Sequence, residues 1–431
     1  MKKVALFGGL LALVGVGAAY AGGQFPNYPQ ATSSPTNGYA TTYPLTGNEL
    51  IPADTQLSSG IMPQTEVISA AQLAVYASGY NGTYRNVLIG GDFGTNPWVR
   101  GTSTSADIAN TLTYHADRWW NLGGASSAIN VSQQTGSTDV FAGTYATLRF
   151  QRKSGNADTT AICTGQVMET VDSLRFAGNT AVFSFTAKVG ANYSAANSVA
   201  NVTIAYGTGT NESSTNFAAG SWTGYAVPTL YVNGTSSATG AVTLTTSFVR
   251  NTVTATIPST AKQIGVKICY TPVGTAGAND WLEFGQAQLE ATGQAVSTAV
   301  ASVFETMHPT FVQVRAQRHA WVLTEPAADV CQGAGYSTAT TGARIVIANP
   351  VTMRAAPTVS SIGATLANTT WKVQDAATPI VLSTPFLATY TANTVANINL
   401  TATTGASQTV GRGVLLCGAG GGGKLLVSAD L

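Results

Sequence analysis

The stretch Tyr114-His115-Ala116-Asp117-Arg118-Trp119-Trp120 gathers a histidine, an acid, a base and two tryptophans into one short run, in a chain where only 9% of residues are charged. A histidine beside a carboxylate could serve acid–base catalysis, but a catalytic triad also needs a Ser or Cys held against that histidine. The His115–Asp117 spacing matches no such signature, no G-x-S-x-G elbow occurs, and His308 and His319 fall far along the chain. Glycoside hydrolysis needs two facing carboxylates. Asp92, Asp117, Asp280, Glu283 and Glu290 are available, and nothing in their spacing pairs them. The chain is therefore expected not to be an enzyme. The run GAGGGGK, Gly418 to Lys424, imitates a phosphate-binding loop. Such a loop needs Ser or Thr after the lysine and a helix to aim its amides. Leu425 follows instead, so a glycine turn without a nucleotide is expected. Four cysteines, Cys163, Cys269, Cys331 and Cys417, form no metal-binding spacing. Cys163 and Cys269 each sit in a β-like run of one domain and are expected to pair, with buried free thiols as the alternative.

The elements that must position these residues read as mainly β. The 431 residues suffice for two or three domains. Lys+Arg 20 against Asp+Glu 19 gives a net charge of +1, which offers nucleic acid or an anionic membrane no general attraction. Residues 1–21 carry Lys2 and Lys3, an apolar run and Ala19-Tyr20-Ala21, the pattern of a signal peptide, with a membrane anchor as the alternative. Residues 22–80 read as an extended attachment segment, rich in Pro, Gly, Ser and Thr. It closes on a short helix from Ser69 to Gly79, begun by capping-box spacing to Gln72.

Between 81 and 300 the period is two: Phe183, Phe185, Ala187 and Val189 share one face, and Ile264, Val266, Ile268 and Tyr270 share another. That pattern predicts a jelly-roll or β-sandwich domain. Residues 301–330 predict a helical connector, interrupted at Pro309, with Phe311, Val314, Arg318 and Trp321 on one stripe. Residues 331–431 return to strands and predict a smaller C-terminal β module. Within the opening stretch, Trp119 is expected in the core. Asp117 and Arg118 are expected to make hydrogen bonds or an ion pair that fixes the strand's entry, and Trp120 to point to the opposite face.

Three stretches in this order carry a resemblance. They are RNVLIGGDFGTNPW with YHADRWW; SFTAKVGANYS with SWTGY and CYTPVGTAGANDWLEFGQAQLEA; and VRAQRHAWVL with ANPVTMRAAPTV. The arrangement resembles bacteriophage tail-fibre and related virion appendage proteins, over roughly residues 43–360. It departs from them where a CQRYY-like connector stretch is replaced by Ala316-Gln317-Arg318-His319-Ala320. The resemblance implies a jelly roll like a carbohydrate-binding module, and a virion-surface protein that contacts host-surface glycans or a receptor and other virion proteins. It further implies a homo-oligomer with a trimer favoured, and no nucleic-acid partner. A non-binding decoration or connector, and an exported bacterial adhesin of prophage origin, are the alternatives.

Sugars stack on exposed aromatic faces and are oriented by a few polar groups. Trp222 and Tyr225 in the loop-like GSWTGYAVP, with Trp120, are the expected carbohydrate-binding residues. Similar carbohydrate-binding jelly rolls hold a structural calcium between first and last strands. On that resemblance Asp92 and Asp280 are its implied ligands, although Gly94 stands where a Glu is usual.

Overall fold

The computed structural model describes residues 50–55, 64–69, 85–104, 111–124, 129–362, 371–375, 378–381, 393–404, 408–420 and 422–431. The chain divides into two units, Met1–Gly82 and Thr83–Leu431. In the first, strands Leu50–Thr55 and Gln64–Ser69 pair antiparallel with Leu50 opposite Ser69. The segment expected to be linker-like thus contains a hairpin. The leader at 1–21 and the body of the helix expected after Ser69 lie outside the described residues.

The second unit begins with a sandwich of two antiparallel sheets. One has eight strands, in the order Thr235–Ser237, Leu230–Val232, Val249–Thr256, Thr180–Val189, Trp281–Thr292, Thr147–Arg152, Ile129–Gln134 and Ser103–Thr104. The other has six, in the order Ala241–Thr243, Val199–Gly207, Gln263–Tyr270, Ile162–Val167, Trp120–Leu122 and Thr113–Tyr114. From Thr147 onward the long strands cross repeatedly from one sheet to the other, which is the winding of a jelly roll. The expected fold class, mainly β with a jelly-roll sandwich and a second β module, is the observed one.

Alternation explains the core. Phe183, Phe185, Ala187 and Val189 face inward from one sheet and meet Ile264, Val266, Ile268 and Tyr270 from the other. The opposite face of Thr180–Val189 is buried as well: Ser184, Thr186 and Lys188 are all under 9% exposed. A loop supplies part of that cover, because Lys188 Nζ donates to Thr138 O at 2.5 Å and lies 3.0 Å from Asp139. Cys163 lies opposite Cys269 on paired strands, and the two are bonded. Cys331 and Cys417, opposed in the same way in the C-terminal module, are bonded too.

The connector helix runs Pro309–Gln317, so Pro309 opens the helix and does not interrupt it. His308 caps it, accepting from Thr310 N at 3.3 Å. Val312 and Ala316 form its buried side with Ile89, whereas Val314 is 44% exposed. The expected stripe therefore faces the wrong way by about one position. The C-terminal module already starts at Ala320–Thr324, which pairs with Lys424–Ser428 beside Thr358–Ser361. Its other sheet holds six strands, and Trp321, Ile345, Trp371, Leu400 and Leu416 share one core.

Candidate functional site

The backbone turns at Arg118, whose φ is 71°, and sends its two neighbouring tryptophans to opposite faces. Trp119 is fully buried in the sandwich core, with ring centroids 5.4 Å from both Phe93 and Phe284. Its Nε1 donates to Ile89 O at 3.1 Å. Trp120 faces outward from the six-stranded sheet, yet it is equally buried. The helix Ser214–Ala219 and the residue Leu431 cover that face, packing Phe217, Trp222 and Leu431 with Trp120.

This corrects the expected sugar platform. Trp222 is 3% exposed and its Nε1 donates to Ser213 O at 2.9 Å. Tyr225 is half-buried, edge-on to Phe217 and Trp222 at 6.2 and 6.5 Å. Trp120, Trp222 and Tyr225 do come together, but as a small apolar cluster. The faces of Trp120 and Trp222 are taken by one another and by Phe217, so neither is open to a pyranose.

Of the two alternatives expected for Asp117 and Arg118, the hydrogen bonds are present and an ion pair between the two is not. Side chains of successive residues diverge, and each finds a distant partner. Asp117 receives Arg100 at 3.1 Å and Val99 N at 3.0 Å. Arg118 donates to Val167 O and faces Asp430 at 3.6 Å, and Arg100 also grips Asp430. Burial pushes Asp117 up to about 6 despite Arg100. Burial pushes Asp430 the same way, but Arg100, Arg118 and His319 outweigh it and hold that carboxyl below its ordinary value. Tyr114 completes the joint, donating to Leu431 O at 2.7 Å and lying 2.8 Å from Ser214 Oγ.

The implied calcium ligands are not brought to one site. Asp280 is fully buried and paired with Arg152 at 2.9 Å, and it accepts from Ser194 N and Oγ at 3.0 and 2.8 Å. The Arg152 guanidinium already supplies the counter-charge that a cation would bring to Asp280. Asp92 accepts from Thr95 N and Oγ1 at 3.2 and 2.6 Å, and burial raises its pKa. Among the described residues no group of three or more metal-ligating side chains occurs.

The carboxylates and histidines weighed for catalysis hold structure together. Glu283 accepts from Thr147 Oγ1 at 2.6 Å and pairs with Arg149 at 2.6 Å. Glu290 accepts from Ser302 N and Oγ at 2.8 and 2.6 Å. His115 lies 3.3 Å from Asn121 and is pushed down to about 4 by burial and by Arg100. His319 is 3.2 Å from Glu169 and also falls to about 4, through burial and Arg118, so at neutral pH it is an uncharged donor. Arg318 grips both oxygens of Glu169 at 2.9 and 3.0 Å, fastening connector to sandwich. Burial resists charge on Glu169, but hydrogen bonds from His319 and Arg318 hold its pKa far below the ordinary range.

The glycine run GAGGGGK does bind an anion, and the anion is the protein's own. Glu325 Oε1 accepts from Ala419 N at 2.8 Å and Gly420 N at 2.5 Å, and Oε2 accepts from Gly423 N at 2.7 Å. Gly420 and Gly422 have φ of 94° and 73°, which only glycine adopts without strain, and that turn converges the amides on the carboxylate.

A cleft of about 470 Å³ opens between the connector helix and the C-terminal module. Trp321, Leu323, Ile347 and Pro350 give it apolar lining. Gln313 and Gln317, one helical turn apart, Thr324, and Lys424 opposite Thr324 in the strand register, add polar groups. Among the described residues the side chains of Gln313, Gln317 and Lys424 have no hydrogen-bond or ion-pair partner. The buried Trp321 Nε1 likewise finds no acceptor. An apolar lining with a few convergent, uncommitted polar groups is the usual make-up of a small-ligand site, and the volume lies in the usual range of about 300–1,000 Å³. Sequence reading placed Trp321 on a connector stripe and passed over Gln313, Gln317 and Lys424. Their i, i+4 spacing was visible, but the strand that brings Lys424 to them was not.

No protein-family model matches the chain, and no curated protein matches it. Among solved structures, a chain described as "CBM4 structure and function" aligns at 18% identity over 46% of this chain and 99% of its own, with a TM-score of 0.26. The CBM22-1–GH10 modules of the Clostridium thermocellum endo-1,4-β-D-xylanase 10B, complexed with xylohexaose, align at 14% identity over 47% of this chain and 29% of theirs, with a TM-score of 0.24. Likeness at this level carries no inference about ligand or activity.

Proposed function

We propose that this chain is a non-enzymatic appendage protein of a virion surface that binds host-surface glycans, and that the cleft beside the connector helix is where it does so. One observation carries the binding reading: Gln313, Gln317 and Lys424 converge, unpartnered, on a cleft with an apolar lining that includes Trp321. Sugars need this pairing of apolar contact with a few directed polar groups. The ordered motifs from RNVLIGGDFG to RAAPTV support the appendage placement. Engagement of Asp117, Asp280, Glu283 and Glu290 in structural pairs supports the non-enzymatic reading. A trimer would multiply weak sites into avidity.

A glycan array probed with the full chain tests the binding reading. The expected result is retention on a defined set of glycans, reduced about tenfold in Gln313→Ala/Gln317→Ala with an unchanged melting temperature. A folded chain that binds no glycan, or a double variant that binds as before, overturns the cleft as the site. Mass spectrometry of purified particles tests the placement, which fails if the chain is absent from them.

A further inference from the structure

We infer that the cleft selects sugars bearing a carboxylate, such as uronic acids, over their neutral counterparts; this rests on the glycan-binding reading above. The argument is one of uncompensated charge. Lys424 is exposed, lines the cleft, and has no carboxylate within ion-pair distance among the described residues. Three other cations of the same region have an acid, Lys372 with Asp329, Arg412 with Asp375 at 3.5 Å and Arg318 with Glu169, and Arg354 donates instead to Ala429 O at 3.1 Å. The neighbouring acid, Glu325, is turned away into the glycine loop and held there by three amides. No carboxylate is found among the described residues lining the cleft. A cleft whose one charged lining group is an ammonium favours an anionic ligand over a neutral one.

The placement of the cation is fixed by the fold. Lys424 opens a strand held on both sides, by Ala320–Thr324 and by Thr358–Ser361. Its Cα is paired with that of Thr324, so an ammonium and a hydroxyl stand at one end of the cleft. Gln313 and Gln317 reach it from the helix. A ring whose apolar side meets the exposed Pro350 can give hydroxyls to the two amides and its carboxylate to Lys424. Lysine acts here as a point charge, without the fork of an arginine. The site therefore reads charge more than the plane of the carboxylate.

The test uses the full chain with two probes, an oligogalacturonate and the same oligomer as its methyl ester. Binding is measured by calorimetry at low and at high salt. The expected result is a preference for the free acid of about tenfold, weakened by salt and abolished in Lys424→Gln. Retention of ester binding in Lys424→Gln shows that the variant is folded and the cleft intact. Equal affinity for acid and ester, or a preference that survives Lys424→Gln, overturns the inference and leaves glycan binding standing. Loss of all glycan binding by the folded wild-type chain overturns both.

Discussion

Replacing Glu325 with alanine empties the glycine loop of its anion, and the cost can be worked from the donors left behind. Three backbone N–H groups lose their acceptor. The Gly423 amide is in a buried residue and cannot turn to water, so its loss is worth about 2–3 kcal/mol. Ala419 is half-buried and Gly420 exposed; water can replace the carboxylate there, at about 0.5–1 kcal/mol each. Relief from holding a carboxylate at 7% exposure offsets part of the sum, leaving a net of about 2–4 kcal/mol. Glu325→Gln keeps one acceptor oxygen but sets an NH₂ against at least one donor, so it should fall between alanine and wild type. Urea unfolding of the C-terminal module reads the cost, and hydrogen exchange at Gly423 reads its location. A distinctive readout is rescue: formate or sulfate should raise the midpoint of Glu325→Ala and leave the wild type nearly unmoved. Unchanged stability together with unchanged exchange at Gly423 would refute the nest as an energetic element, whatever its geometry.

Two further outcomes follow from the core and from the buried titrating groups. Trp119→Ala should destabilise the sandwich by about 3–5 kcal/mol, because its ring is fully enclosed by Phe93 and Phe284; a calorimetric melting temperature near that of the wild type contradicts this. Stability should fall as pH drops from about 6.5 to about 4. In that window the unfolded chain takes up protons that buried His115 and His319, both held to about 4, refuse. Each contributes a loss of about 3 kcal/mol, and Asp117, raised to about 6, returns a similar amount because its folded form gains a proton first. Over these three groups the net is a loss of about 3 kcal/mol; Asp92 and Glu283, which burial also raises, return part of it, and Glu169 and Asp430, both held low, extend the loss at still lower pH. A urea midpoint that rises between pH 6.5 and 4.5 would show that the carboxylates dominate.

What could be read from the sequence was what local spacing controls. Alternation placed Phe183, Phe185, Ile264 and Ile268 inward, and it sent Trp119 and Trp120 to opposite faces. It could not tell that Trp120 is covered, because the cover comes from Phe217, Trp222 and Leu431, far along the chain. Trp222 and Tyr225 sit in a stretch that reads as an open loop, and only tertiary packing turns that loop inward. Charge pairing was misread for the same reason. Asp117 and Arg118 are adjacent in sequence, yet the partner that links their surroundings, Asp430, lies 330 residues beyond Arg100. The glycine run was expected to form a turn, but the carboxylate that fills it, more than 90 residues upstream, left no local trace. The cleft joins a helix, three strands and two loops, and no single window of sequence contains it.

The grip of Arg100 and Arg118 on Asp430 also has a consequence in time. A ribosome adding about 5–20 residues per second needs roughly 15–65 s to pass from Arg100 to its counter-ion 330 residues later. For that interval Arg118 has no acid to neutralise it, Arg100 has only Asp117, and the outer face around Trp120 lacks the cover of Leu431. The sandwich can collapse during synthesis, but its electrostatic closure waits until Asp430 has left the ribosome. A nascent chain stalled short of Asp430 should therefore be held in a loosened, protease-sensitive state that the released chain has left behind.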